Sequence, residues 1–89
     1  MQVDSQSSSI LNLLVQDLQK EDKFYHMEVH SDSTVEELKC LIAIESTIEP
    51  ERQILTYKQI VLKDYNKKLV QHYGIQHNDM INLQITNLN

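Results

Sequence analysis

The segment Thr34-Val35-Glu36-Glu37-Leu38-Lys39 constrains this chain more than any other, because it is a helix start written out in full. The Thr34 hydroxyl can accept from the first free backbone N–H groups, and Glu37, three residues on, can return a bond to the Thr34 N–H. Val35, Leu38, Leu41 and Ile42 recur at helical spacing, so the helix has one apolar face to bury. It runs from Val35 to about Ser46, ahead of Thr47-Ile48-Glu49-Pro50-Glu51-Arg52, where proline blocks continuation and sets a turn.

The segments around the helix have a period of two. Ile10 to Gln16 reads as a strand with Leu11, Leu13 and Val15 toward a core and Asn12 and Leu14 outward. Asp17 to Asp22 is polar apart from Leu18 and reads as a hairpin loop. Phe24 to His30 alternates again, with Tyr25, Met27 and Val29 on one face and Phe24, His26, Glu28 and His30 on the other. Beyond the proline, Gln53 to Lys58 reads as a third strand with Leu55 and Tyr57 inward and Ile54 and Thr56 outward. Gln59 to Leu62 gives a short fourth strand or turn, and residues 63–68 a loop. Leu69 to Tyr73 forms a short helical turn ended by Gly74, the single glycine of the chain, at a left-handed position. Met80 to Ile85 closes the fold with Ile81, Leu83 and Ile85 inward. This order is that of a β-grasp: an α+β fold in which a mixed sheet of four to five strands packs on one long helix. Residues 10–86 form the domain, 1–9 are a Ser/Gln-rich flexible tail, and 87–89 begin a linker.

Composition narrows the function. Eighty-nine residues with 40% hydrophobic content support one small core. The net charge of −5 argues against nucleic-acid binding, which needs a basic surface to displace phosphate counterions. Lys63, Lys67 and Lys68 sit together, but Asp64 lies among them and the group reads as a solvated loop. Cys40 is alone, so it has no disulfide or zinc partner of its own kind, and beside the helix's apolar face it reads as a partly buried small hydrophobe. No apolar run approaches the roughly 18 residues needed to span a membrane, the N-terminus is polar and acidic, and the expected compartment is cytosol or nucleus.

Chemistry finds little support. His26 and His30 share a strand face but lie about 13 Å apart, too far to ligate one zinc ion. His72 and His77 have no cysteine near them in the sequence. Glu36, Glu37, Glu45, Glu49 and Glu51 sit on the helix and its exit, where a solvated face explains them, whereas acid–base catalysis needs carboxylates converging in a cleft. No nucleophile signature or phosphate-binding glycine loop is present. The expectation is a domain without catalytic residues, metal or cofactor.

From about Leu11 to Ile85 the chain resembles ubiquitin-like domains. The capped Thr34 helix, the Ile48-x-Pro50 turn, Leu55, Leu62, Tyr73-Gly74-Ile75 and the Ile81-x-Leu83 strand stand where such domains carry their core. The resemblance implies that Lys39 and Asp64 form a pair tying the helix to the loop before the helical turn, and that the Tyr73 hydroxyl braces that loop. A narrower likeness, carried by Glu45-Ser46, Tyr73-Gly74-Ile75 and Asn78-Asp79, is to the N-terminal domain of DNA-damage-inducible proteasome shuttle proteins. Those proteins also hold a retroviral-type aspartic protease domain. This chain has no Asp-Thr/Ser-Gly triplet, so any such activity lies outside it.

Two departures from the family shape the expected function. No glycine follows Gly74, so the Gly-Gly end that conjugated modifiers need is missing from this sequence and the domain reads as non-conjugated. In ubiquitin the apolar recognition patch centres on an isoleucine of the third strand and a histidine and valine of the last. The matching residues here are Thr56, Asn82 and Gln84, all polar. Leu18 matches the loop leucine of that patch, and Ile54, Ile60, Val61 and Met80 are candidate outward apolar positions around the changed centre. The resemblance therefore implies a monomeric interaction domain that contacts a proteasome receptor, ubiquitin or a ubiquitin-binding partner weakly through Leu18, Ile54, Thr56, Ile60, Met80, Asn82 and Gln84. The alternative is a regulatory or structural domain that packs on its own protein or self-associates. A conjugated modifier would need a Gly-Gly further along the gene.

Overall fold

The structure, a computed structural model, describes residues 9–20 and 23–86. Residues 1–8 of the tail expected at 1–9, and the linker start expected at 87–89, lie outside the described residues. In chain order the elements are β1 (Ile10–Asp17), β2 (Phe24–His30), α1 (Val35–Ser46), a 3-10 turn (Pro50–Arg52), β3 (Gln53–Tyr57), β4 (Ile60–Val61), α2 (Leu69–Tyr73) and β5 (Met80–Ile85). The five strands form one mixed sheet in the order β2-β1-β5-β3-β4, with β1 and β5 parallel and the other pairs antiparallel. This is the β-grasp fold.

Helix α1 begins as its sequence requires. Thr34 Oγ1 accepts from the Glu37 N–H at 3.3 Å, and Glu37 Oε1 accepts from the Thr34 N–H at 3.0 Å. The next two free donors go to the loop ahead of α2: Val35 N–H to the Lys67 carbonyl and Glu36 N–H to the Tyr65 carbonyl, both at 3.0 Å. Val35, Leu38 and Ile42 are buried against Leu13, Val15, Leu55, Ile81 and Leu83 from the sheet. Each such side chain contributes about 1.5–3 kcal/mol when withdrawn fully from water. Thr47 closes α1 in a left-handed conformation, and Gly74 does the same for α2.

Three expectations need correction. Asp17 belongs to β1, not to the loop. The alternation that buries Leu13 and Val15 carries on through Asp17, whose side chain is buried and accepts from the Gln19 N–H at 2.9 Å. Cys40 is exposed, because its helical position falls outside the Val35–Leu38–Ile42 stripe.

The third concerns Lys39 and Asp64, which form no ion pair. Lys39 is buried with its Nζ 4.8 Å from the centroid of the Tyr65 ring, so the residue after Asp64 takes the ammonium. Burial holds the Lys39 pKa below its ordinary value. The tie between helix and loop is made by the backbone bonds of Val35 and Glu36, and by the Tyr73 hydroxyl, which accepts from the Asp64 N–H at 3.4 Å.

Candidate functional site

The face of the sheet turned away from α1 is the candidate site, and strand register decides its membership. Gln16 pairs with Asn82, Asn82 with Thr56, and Thr56 with Val61, so these four residues cross the sheet as one row. Phe24, paired with Gln16, extends that row onto β2. A second row runs His26–Leu14–Met80. On the other side of the polar row, Gln84 pairs with Ile54. The Leu18 N–H donates to the Leu83 carbonyl at 2.9 Å, which carries the chain past the end of β1 and brings Leu18 to the Gln84 end of the face.

The resulting surface has three side-chain amides or hydroxyls at its centre (Gln16, Asn82, Thr56) and apolar groups around them. Leu14 and Met80 are direct register neighbours, Ile54 stands beyond Asn82 and Gln84, and Val61 closes the β4 end. None of these residues is charged. Such a face can exchange amide hydrogen bonds with a partner and bury a modest apolar area off centre.

Ile60 does not belong to this face. It pairs with Tyr57, whose ring is buried, and so lies on the core side at the open edge of the sheet, while Val61 takes the outward position. The cause is the two-residue turn Lys58-Gln59, both at positive φ (49° and 71°), which fixes the hairpin register. A one-residue difference in register reverses every side chain. Leu14, Gln16 and Phe24 are also missing from the set expected on sequence grounds. Their outward phase is legible in the alternation, but only the parallel register of β1 with β5 sets Leu14 beside Met80.

The start of β5 is held by one carboxylate. Asp79 Oδ2 accepts from the Tyr57 hydroxyl at 2.5 Å and from the Gln76 N–H at 2.8 Å. The Tyr57 hydrogen bond, helped by the Gln76 N–H and the Lys58 charge, holds the Asp79 pKa below its ordinary value against the opposing effect of burial. The same bond, with burial, raises Tyr57. On the β1 side, the Asn12 N–H donates to His77 Nδ1 at 3.0 Å, and the Leu14 N–H to the Asp79 carbonyl at 3.1 Å. The turn before β5 is thus bolted to both neighbouring strands, and Met80 and Asn82 are presented from a fixed backbone. Among the described residues, no group of three or more His, Cys, Asp or Glu side chains is placed to hold a metal ion, and no helix is long and apolar enough to cross a membrane.

Residues 6–88 match the model of the Ubiquitin family. The chain belongs to that family. The ubiquitin-like domain of an Arabidopsis thaliana protein, solved in solution by NMR, superposes with a TM-score of 0.79 at 28% identity, over 90% of this chain and 81% of that one. Ubiquitin from Caldiarchaeum subterraneum superposes with a TM-score of 0.80 over 91% of this chain and 99% of that one, and at 17% identity this likeness speaks to fold alone. No curated protein matches the chain. In this ubiquitin-like domain, then, Thr56, Asn82 and Gln84 stand on a sheet whose fold matches that of an archaeal ubiquitin.

Proposed function

We propose that this ubiquitin-like domain is a non-conjugated docking module that links its parent protein to the ubiquitin–proteasome system. Its partner in this reading is a proteasome receptor, ubiquitin itself or a ubiquitin-binding domain. The observation that supports it most is the uncharged central part of the outer sheet face, with Leu14 and Met80 side by side and the Gln16–Asn82–Thr56 row at its middle. Docking is an equilibrium that raises local concentration and involves no bond chemistry. A partner helix or strand placed here gains amide hydrogen bonds worth about 0.5–1.5 kcal/mol each and buries apolar groups only at the margin, so affinity is weak. The parent in this reading is of the proteasome-shuttle type, with any protease domain outside the chain, and the domain works as a monomer in the cytosol or nucleus.

A ¹⁵N chemical-shift titration with ubiquitin, and separately with a proteasome receptor fragment, tests the reading. Saturable shifts at Leu14, Leu18, Ile54, Thr56, Val61, Met80, Asn82 and Gln84 are expected with one of them. Silence with both at millimolar concentration sinks it. The polar centre of the face favours a second reading, in which the domain packs on its own protein as a regulatory or structural unit. That reading is supported if the same shifts appear when the rest of the parent protein is added in trans.

A further inference from the structure

We infer a second docking site, separate from the outer sheet face: strand β2 and the groove between it and α1 accept an extended basic peptide as an added strand. The open edge is the first ground. Among the described residues, strand β2 ends the sheet on one side and is seven residues long, whereas β4 at the other edge has two. The Leu14 and Asn12 N–H groups are spent on the Asp79 carbonyl and His77 Nδ1, so both residues turn away from β2. In an antiparallel ladder their register partners, His26 and Glu28, turn away from β1 in the same way. Each of the two therefore offers an N–H and a carbonyl to the open edge, two donors and two acceptors at strand spacing. At His30 the edge is closed locally, because Ser33 takes both its N–H, through Oγ, and its carbonyl, each at 2.9 Å. Unpaired edges of this kind are templates for strand addition, and natural sheets usually blunt long ones.

The groove is the second ground. Two hollows of about 410 and 480 Å³ run along this edge and meet at Glu28 and Leu41, which line both. Ile44, 74% exposed, is the most solvent-exposed large apolar side chain among the described residues, and it lies in the wall of the first hollow. With Leu41 and Val29 it supplies apolar floor for the alternate side chains of an added strand.

Charge selects the occupant. Glu28, Glu36, Glu37 and Glu45 line the two hollows and no lysine or arginine does. Glu37 is partly committed to the Thr34 cap, which leaves three carboxylates facing a peptide. An extended segment with apolar residues at alternate positions and lysine or arginine between or beside them fits backbone, floor and charge together. A second copy of β2 carries Glu28 and no lysine or arginine, so self-pairing brings like charge to this acidic edge.

The probe is a capped heptapeptide of alternating arginine or lysine and valine, Arg-Val-Lys-Val-Lys-Val-Arg, titrated into the ¹⁵N-labelled chain. Its counterpart carries glutamate at each basic position. Saturable shifts along residues 24–30 and on the exposed side of 36–45 are expected, with the His26 and Glu28 amides exchanging about tenfold more slowly at saturation. The glutamate peptide and the double variant Glu36→Lys/Glu45→Lys are each expected to weaken binding by about tenfold or more. Both substitutions are at exposed positions, so a matching unfolding midpoint confirms that the variant is intact. The proposal is overturned by no shifts at millimolar peptide, by equal binding of the acidic peptide, or by shifts confined to Thr56, Met80 and Asn82. Protection of His26 and Glu28 that rises with protein concentration in the absence of peptide also overturns it, in favour of a second copy of the chain.

Discussion

The Tyr57 hydroxyl donates to Asp79 Oδ2 at 2.5 Å, and through that one bond the end of β3 sets the launch point of β5. Tyr57→Phe removes the donor and leaves the carboxylate to the Gln76 N–H alone. A stability loss of about 1–2 kcal/mol is expected near neutral pH, because hydrogen bonds to charged groups are the stronger ones. Asp79 is held below its ordinary value of 3.8, so its contribution is present above that value and is lost as pH falls through the folded-state value. Tyr57 is held above its ordinary value of 10.0, so its contribution is present below 10.0 and is lost as pH rises through the folded-state value. Urea melts of the wild type and Tyr57→Phe across this range check it. A deficit that stays constant from neutral to strongly acidic pH contradicts the assignment.

Lys39 is a buried cation facing an aromatic ring, and among the described residues no carboxylate is bonded to it. Lys39→Met keeps most of the stem and removes the charge. Stability equal to or about 1 kcal/mol above wild type is expected, since an unpaired buried charge costs more than a ring contact returns. Burial lowers the Lys39 pKa, so the wild type gains on the variant as pH rises toward 10.5. A loss of more than about 2 kcal/mol, the size of breaking a buried pair, would show that Lys39 has a bonded partner in solution.

Lys58 and Gln59 adopt positive φ without being glycine or asparagine. Replacing them by Asn-Gly suits the two-residue hairpin turn and is expected to stabilise the domain by about 1 kcal/mol. Thermal unfolding reads the change directly. An unchanged or lowered midpoint indicates that the turn is of another type.

On the outer face, register separates Val61 and Met80 from Ile60. Met80→Ser and Val61→Ser are each expected to weaken partner binding by about fivefold or more, and Ile60→Ser by less than about twofold. All three are exposed, so fold loss does not confuse the comparison. Titration of the three variants against whichever partner shifts the wild-type spectrum settles the assignment, and the reverse ranking contradicts the register argument.

Much of the fold was legible because it rests on short-range patterns. The Thr34–Glu37 cap, the Pro50 stop, the Gly74 terminus and the alternation of Leu11, Leu13 and Val15 each depend on neighbours a few residues away. The candidate site was legible in part. Thr56, Asn82, Gln84, Ile54 and Met80 were placed outward by alternation within their own strands. Ile60 falls on the core side against expectation, because β4 has too few residues for alternation to show and its phase comes from the Lys58-Gln59 turn. The expected Lys39–Asp64 pair failed because Tyr65, one residue further along the loop, offers its ring to the ammonium.

By itself the sequence determined which segments are helix and strand and which side of most of them is apolar. It did so because capping, proline and period are local properties of the chain. Only the tertiary structure decided which strands lie side by side. The parallel pairing of β1 with β5 joins Leu14 to Met80 and Gln16 to Asn82, residues far apart in the chain. It also leaves β2 at an open edge beside the acidic groove of α1. Such neighbours follow from the packing of the whole sheet on one helix, a long-range choice that no local pattern encodes.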